Sequence, residues 1–170
     1  MSKPVVELYQ KFGKVRWIDA TGDIPTVYEK TRNAMLPQVF FMIGPHGSGK
    51  TTAGNILSER TNMHLIRFGD FLKDKGLRKK DDEVKTAGLI KHLVSSVHQR
   101  ILLIDFPQNE FQAKYFLKNC SKPSRVFHLN SSKDVCQERY IQIGKTHPKY
   151  ITSAILSKKI KKFHEDFETL

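Results

Sequence analysis

Residues 39–52 read VFFMIGPHGSGKTT, and this stretch decides the fold. Its second half, residues 44–51, matches the pattern G-x-x-x-x-G-K-[S/T]. The apolar run before the pattern predicts a buried parallel strand, and the pattern itself predicts a tight turn that opens a helix. Strand, glycine-rich turn and helix in this order are typical of a P-loop, where backbone N–H groups and a helix N-terminus face a phosphate.

The residue types of this loop predict a bound nucleotide with Mg²⁺. Lys50 is expected to reach the β- and γ-phosphates, as a catalytic residue, and the Thr51 hydroxyl to ligate Mg²⁺. ATP, GTP or the diphosphate all remain open as ligands. The predicted nucleotide-binding residues are Gly44, Pro45, His46, Gly47, Ser48, Gly49, Lys50, Thr51 and Thr52.

Apolar runs alternate with helical patterns along the chain, which predicts an α/β fold. We expect a P-loop NTPase-type three-layer sandwich with a five-stranded parallel sheet. The predicted strands are residues 15–18, 39–43, 64–67, 101–104 and 125–129, and the predicted helices are residues 25–35, 50–60, 82–98, 109–120, 131–143 and 151–170.

Composition places the chain among ordinary globular proteins. The 170 residues are 39% hydrophobic and 27% charged, which suits one domain with a real core. No apolar run is long enough for a membrane span, and the first residues lack a secretory pattern, so we expect a cytoplasmic protein with no membrane partner. The two cysteines, Cys120 and Cys136, are expected to be reduced thiols.

The formal net charge of +12 is high for a small metabolic enzyme. Such a surplus attracts RNA or an acidic protein surface such as a microtubule. A well-solvated basic surface explains the charge equally well, and both interpretations stay open.

Three further segments resemble the adenylate kinase family of nucleoside monophosphate kinases. Residues 64–73 read HLIRFGDFLK, residues 100–108 read RILLIDFPQ, and residues 138–140 read ERY. The family shows S-T-G-D-L-L-R, G-F-L-L-D-G-F-P-R and E-R-L in the same order, and a cis proline at the position of Pro107 is implied. The same resemblance implies that Asp105 holds Mg²⁺ through a water. It also places Arg139 near base or phosphate as a second catalytic residue, although a solvated helix arginine is an equal alternative. We interpret Asp70 as a helix cap after its strand and His46 as a loop residue without a catalytic role.

The N-terminal segment resembles the C-terminal end of such a kinase. Residues 4–20 read PVVELYQKFGKVRWIDA, where the family has a P-V-I-x-x-Y helix followed by a strand and a closing helix. The resemblance implies one domain over residues 1–170 that is circularly permuted, with residues 1–37 carrying the transposed part and 38–170 the P-loop core. The transposed strand would complete the chain's own sheet, a neighbour's sheet, or mark a piece of a tandem ancestor. An unrelated N-terminal extension is the alternative.

Several arginines that the family uses on phosphate are replaced here. Lys73 and Gln108 stand at two of these positions, and Lys159 aligns with a third. The resemblance also implies that the regions binding the acceptor monophosphate and forming the lid are reduced, because Asp70 and Asp105 lie close in sequence. Arginine grips phosphate oxygens bidentately and lysine does not, so we expect impaired catalysis.

Three functions follow as hypotheses. The first is an adenylate-kinase-like, nucleotide-binding subunit of a larger assembly, such as a ciliary or flagellar axoneme, with little catalytic activity. The second is an active small nucleoside monophosphate kinase that uses MgATP. The third is an RNA-associated factor that binds nucleotide.

Overall fold

The computed structural model describes residues 3–144 and 153–168. The chain divides into two compact units, Met1–Leu36 and Pro37–Leu170, and the expectation of one domain over residues 1–170 stays a prediction. In chain order, the described elements are α1 (Lys3–Lys11), α2 (Ile24–Met35), β1 (Gln38–Ile43), α3 (Lys50–Thr61), β2 (His64–Arg67), α4 (Phe68–Asp74), α5 (Asp82–Val94), β3 (Arg100–Ile104), α6 (Glu110–Asn119), β4 (Arg125–His128), α7 (Lys133–Gly144) and α8 (Ser153–Glu168).

The second unit is built on a parallel sheet with the strand order β2-β3-β1-β4. Residues 101–104 of β3 are fully buried, as expected for a strand covered on both faces. On one face, Phe40 and Met42 pack with Ala53 and Leu57 of α3. On the other face, Phe41 meets Phe116 of α6 edge to face, with 5.3 Å between ring centroids. The predicted layered α/β architecture is therefore confirmed.

The close approach of α3 to the sheet depends on one small residue. Gly54 is buried in α3, and a Cβ atom at this position would run into the side chain of Ile104 on β3. This contact holds the helix that follows the phosphate loop directly against the central strands. The start of α3 and the carboxyl ends of β1 and β3 are thus kept together.

The prediction of a fifth strand is wrong for this structure, because residues 15–18 are irregular. An extended segment becomes a strand only when its backbone groups pair with a neighbouring strand. In the first unit, the segment lies between two helices, and none of the strand pairings among the described residues involves it. Neither α1 nor α2 contains a buried residue, and α2 is opened by Asp23, whose carboxylate accepts from the Thr26 N–H.

The other predicted elements are confirmed, with two corrections around α4 and α5. The predicted helix over residues 82–98 ends at Val94, where the backbone closes through turns at Ser95 and Ser96. A short helix, α4, follows β2 directly and was not predicted. Asp70 lies inside its first turn instead of capping it, and its carboxylate is 3.8 Å from Arg67. Among the described residues, no helix has the length and apolar character needed to cross a bilayer.

Candidate functional site

The loop between β1 and α3 has the shape that a phosphate needs. Gly49 is the N-cap of α3 with φ 91°, and no side chain caps the helix there. The first N–H groups of α3 are therefore left uncapped by side chains, and they add the partial positive charge of a helix N-terminus. Gly47, with φ 88°, lies so close to α7 that a Cβ atom would collide with the carbonyl of Cys136.

Lys50 brings a full positive charge to the centre of this loop. Its side chain is only 6% exposed, and its Nζ donates to the carbonyls of Gly44 at 2.6 Å and Pro45 at 2.8 Å. The same Nζ lies 3.2 Å from the Asp105 carboxylate. A buried ammonium held by carbonyls and one carboxylate is positioned for the oxygens of a phosphate chain.

The hydroxyl of Ser48 indicates whether a polar ligand fits the loop. Its hydroxyl is buried and has no hydrogen-bond partner within the part of the chain that the structure describes. A buried hydroxyl without a partner costs about 1–3 kcal/mol, so such a group is expected to meet a ligand atom or a water. Together with the uncapped helix start and Lys50, it fits an anionic ligand in the loop.

Asp105 follows β3, and Thr51 lies in the first turn of α3. The Asp105 backbone takes the unusual φ of 62° and its N–H donates to Met42 of β1, which fixes the residue at the carboxyl edge of the sheet. A hydroxyl and a carboxylate are the hard oxygen ligands that suit Mg²⁺, which commonly takes the rest of its ligands from phosphate and water. No group of three His, Cys, Asp or Glu residues among those described could hold a metal. The metal role of these two residues remains a prediction.

Arg139 of α7 lies against the phosphate loop. Its guanidinium donates to the Ser48 carbonyl at 3.3 Å, and it lies beside Gly49. The structure therefore places this predicted residue at the loop, where a guanidinium adds positive charge. Whether it acts in catalysis stays a prediction.

His46 is exposed at the mouth of the loop, but the surrounding protein still desolvates its imidazole. This desolvation lowers the pKa of His46, and the cations of Lys159 and Lys50 lower it further, while Asp105 opposes them. A neutral imidazole is therefore favoured near pH 7. Lys159 of α8 and His46 of the phosphate loop line the same cleft.

The loop opens into a cleft of about 620 Å³, a volume typical of small-molecule sites. Its walls come from five parts of the second unit: the phosphate loop, α4, the first turns of α5, the segment after β3, and α8. The lining residues are Ile43, Gly44, His46, Gly69, Asp82, Lys85, Asp105, Pro107, Gln108, Asn109, Lys159, Lys162 and Phe163.

A polar network fixes the wall opposite the loop. Asp82 accepts from Asn109 at 2.7 Å, from the fully buried Gln112 at 3.1 Å and from Lys85 at 3.2 Å. Burial alone would raise the pKa of Asp82, but these three hydrogen bonds outweigh it and lower the pKa. Gln112 also accepts from the backbone N–H of Gln108, so the network ties the segment after β3 to the start of α5.

Of the three positions at which the kinase resemblance implies an arginine, two line the cleft and one does not. Gln108 and Lys159 line the cleft, and the Phe106–Pro107 bond is cis, as expected. Lys73 is exposed near the end of α4 and does not line the cleft. Residues 75–81 alone join α4 to α5, at the place where the resemblance implies a reduced acceptor region. The predicted lid region falls largely on residues 145–152, outside the described residues.

Sequence reasoning missed Lys85 and Lys162 of the cleft. Lys85 lies in the second turn of α5, and only the fold brings that turn to the carboxyl edge of the sheet. For Lys162 a signal exists in the helical period of α8. The buried residues Leu156 and Ile160 define one stripe, and Lys159 and Lys162 flank it on the same side.

Comparison with known proteins gives one family match. A family model described as an AAA domain matches residues 41–155, which is more than half of the chain. A search of curated proteins finds no match. The matched region contains the phosphate loop, Asp105 and Arg139, and it does not single out adenylate kinases among P-loop proteins. The chain belongs to this AAA domain family, as a nucleotide-binding, kinase-like P-loop protein.

Proposed function

We propose that the protein binds a magnesium nucleotide in its P-loop and transfers phosphate poorly, because the arginines that would clamp the reacting phosphate are replaced. The observation that carries this proposal is the contrast between a complete phosphate loop and a missing arginine in the cleft beside it. Lys50 is buried and hydrogen-bonded in the loop, yet Gln108 lines the cleft at a position where the adenylate kinase resemblance implies an arginine.

The expected deficit is large. Phosphoryl transfer depends on positioning and on charge stabilisation, and single arginines that act on the transferring phosphate are worth about 10³–10⁵ in rate. Lys159 and Lys162 supply positive charge to the cleft, but a lysine ammonium lacks the planar fork with which an arginine binds two phosphate oxygens at once. We therefore expect binding without efficient turnover.

The test compares binding with turnover in the same preparations. Wild-type protein is titrated with MgATP and MgGTP by calorimetry. It is then incubated with either nucleotide and a panel of nucleoside monophosphates, and diphosphate products are followed by ³¹P NMR. Lys50→Ala serves as the control, and its loss of nucleotide binding is expected since it removes the loop's buried cation.

Gln108→Arg sharpens the test, because it restores the missing arginine at an exposed cleft position without disturbing the Gln108 backbone hydrogen bond. A rise in turnover of at least about tenfold over wild type is expected from the added charge. Rapid turnover by wild-type protein that disappears in Lys50→Ala would overturn the proposed impairment and would support an active nucleoside monophosphate kinase.

We extend this proposal to an assembly role, for which the net charge of +12 provides the motivation. A basic, weakly catalytic P-loop protein suits a structural or regulatory subunit bound to an acidic protein surface, such as a microtubule of a cilium or flagellum. Cosedimentation with microtubules at low salt, lost on raising the salt concentration, is the expected result. Binding to RNA in place of microtubules under the same conditions would argue for the RNA-associated alternative.

A further inference from the structure

A second cavity, of about 520 Å³, lies beside β2. Its lining comes from residues 65–67 of β2, from α4 and the residue that follows it, and from His92 in the last turn of α5. We call this cavity the β2 groove. Its lining shares no residue with that of the nucleotide cleft: in α4, Gly69 lines the cleft, whereas Asp70 and Phe71 line the β2 groove. The β2 groove is therefore a separate site.

The β2 groove runs along the open edge of the sheet. Leu65 joins the core cluster that α3 covers, and Arg67 donates to Asn55 of the same helix at 2.8 Å. Side chains alternate along a strand, so Ile66 points to the opposite face of the sheet. Because all three strand residues line the cavity and no residue of β3 does, the cavity passes around the outer edge of β2.

The backbone of β2 carries hydrogen-bonding groups that no strand uses. β2 stands first in the strand order β2-β3-β1-β4, and within the described part of the chain it pairs with β3 alone. The N–H and C=O groups of alternate residues point to opposite sides of a parallel strand, so about half of those in β2 point to the open edge. An unpaired row of this kind is a template for a further strand.

Polar side chains of the β2 groove also lack partners. The Arg67 Nε atom is buried and has no hydrogen-bond partner among the described residues. Asp74 forms no ion pair with any residue that the structure describes, and the Asp70 carboxylate is 3.8 Å from the Arg67 guanidinium. Asp70 and Asp74 lie one turn apart on the same side of α4, so one cationic side chain can reach both carboxylates.

The charges of the β2 groove balance, although the whole chain carries a net charge of +12. Asp70 and Asp74 offset Arg67 and Lys75, and burial lowers the pKa of His92, which favours a neutral imidazole near pH 7. A polyanion would meet two carboxylates in this groove. An extended peptide instead offers N–H donors and carbonyl acceptors in alternation, which is what an open strand edge requires.

We propose that the open edge of β2 binds an extended peptide segment of another protein, which adds a strand to the sheet and places a lysine or arginine side chain at Asp70 and Asp74. Backbone hydrogen bonds supply the affinity, and the two carboxylates supply the specificity. Nucleotide binding is not required, because the two cavities share no lining residue. Failure of either proposal leaves the other standing.

The experiment uses ¹⁵N-labelled full-length protein and a capped probe peptide with the sequence T-V-K-V-T. One control peptide carries an N-methyl group on each residue, which removes its hydrogen-bond donors, and a second has glutamate in place of the lysine. NMR titration measures the affinity and locates the protein amides that respond. Hydrogen exchange with and without the probe shows which amides of β2 become protected.

Two protein variants test the carboxylates. Asp74→Asn removes one charge from the β2 groove at an exposed position. Asp134→Asn, which is exposed in the first turn of α7, removes the same charge outside the groove. The amide spectrum of each variant confirms that it is folded.

We expect the probe to shift and protect amides of residues 64–67. Methylation of the peptide backbone should weaken binding by at least about tenfold, since the hydrogen bonds to the strand are lost. Asp74→Asn and the glutamate peptide should each weaken it by about threefold, as for a partly exposed ion pair, and Asp134→Asn should leave the affinity unchanged.

Four results overturn the proposal. No response of residues 64–67 at about 1 mM probe means that the edge accepts no such strand. Equal affinities for the methylated and unmethylated peptides mean that no strand is added, and equal affinities of Asp74→Asn and Asp134→Asn mean that the carboxylates select nothing. Shifts of the same amides when the protein alone is diluted would assign the edge to a second copy of this chain.

Discussion

The contact between the phosphate loop and α7 depends on a single residue. Gly47 touches the backbone of Cys136 and has a positive φ, so a side chain there is excluded both by contact and by conformation. The motif predicts a glycine-rich loop from residues 44–51 alone, but it says nothing of α7 as the surface on which the loop rests.

We expect Gly47→Ala to disable the loop. The added methyl group would push the loop away from α7, which we expect to weaken nucleotide binding at least tenfold and to lower the free energy of unfolding by about 1–3 kcal/mol. Calorimetry and urea denaturation measure the two effects. Gly76→Ala is the matched control, since Gly76 also has a positive φ, of 66°, but nothing lies within 4 Å of the position that its methyl group would take and it does not line the cleft. If both variants bind nucleotide as wild type does, the contact with α7 is not needed.

A histidine pair makes the stability of the second unit depend on pH. His64 of β2 stacks on His98 with 3.9 Å between ring centroids. Burial lowers the pKa of His64, and His98 and His92 lower it further. The folded protein therefore binds fewer protons here than the unfolded chain, and stability is lost as the pH falls below the usual histidine pKa of about 6.5.

We expect His64→Phe to flatten this dependence, because a phenyl ring keeps the stacking and removes the titration. The urea midpoint of wild-type protein should fall between about pH 7.5 and about pH 5.5, and the midpoint of the variant should fall less. Lys118→Gln, at an exposed position in the last turn of α6, provides a control with one charge removed elsewhere. Parallel pH profiles for wild type and His64→Phe would show that the lowered pKa of His64 does not contribute to stability in this range.

Residues of the site could be predicted from the sequence where they belong to one contiguous motif. The phosphate loop, Lys50 and Asp105 follow from contiguous motifs, because strand, turn and helix are neighbours in sequence. Lys85 and Lys162 were not predictable as a pair. They come from helices far apart in the chain, and only the parallel sheet brings both to one edge.

Among the elements, α8 uses one side to pack against the protein and another to line the cleft. Its apolar stripe packs on α7, and the lysines beside this stripe line the cleft. The helix predicted over residues 151–170 is confirmed as Ser153–Glu168 within the described residues. Of its apolar residues, Leu156 and Ile160 are buried, whereas Ile155 is exposed. By contrast, the β-branched residues at 15–18 suggested a strand, but strand formation depends on a partner that no local pattern can specify.

We expect Leu156→Ala to loosen α8. Removing a side chain that is 1% exposed leaves a cavity against Cys136 and should lower the free energy of unfolding by about 2–4 kcal/mol. Ile155→Ala is the control, because that neighbouring side chain is 46% exposed and its loss should cost much less. Urea denaturation measures both. Similar losses in the two variants would mean that α8 is not docked through its apolar stripe.

On the scale of the whole molecule, the chain divides after Leu36, and the P-loop core lies in the second unit. The sheet and every buried residue named in its core belong to the second unit. The first unit has two helices without buried residues. Its resemblance to the C-terminal end of a kinase remains a prediction, since it rests on a pattern of residues whose expected strand is not formed.

We expect residues 37–170 to fold without the first unit. The fragment should unfold cooperatively in urea and bind nucleotide with an affinity within about threefold of the full chain, because the core and the loop are complete within it. Circular dichroism and calorimetry check this, with full-length protein as the reference. A fragment that is largely unfolded would instead support the circularly permuted interpretation, in which residues 4–30 are an integral part of the domain.

The burial of Cys136 has a kinetic consequence. Its thiol is covered by Leu156 and Ile160 of α8, its carbonyl backs Gly47, and burial raises the pKa of the thiol, so the reactive thiolate is scarce while α8 is docked. Alkylation of Cys136 must then wait for α8 to detach, and its rate reports how often that happens. In a Cys120→Ser variant, Cys136 is the one remaining cysteine of the sequence, so the labelling rate reports on this site alone. Nucleotide that contacts α8, whose Lys159 and Lys162 line the cleft, should slow it, and nucleotide held by the loop alone should not.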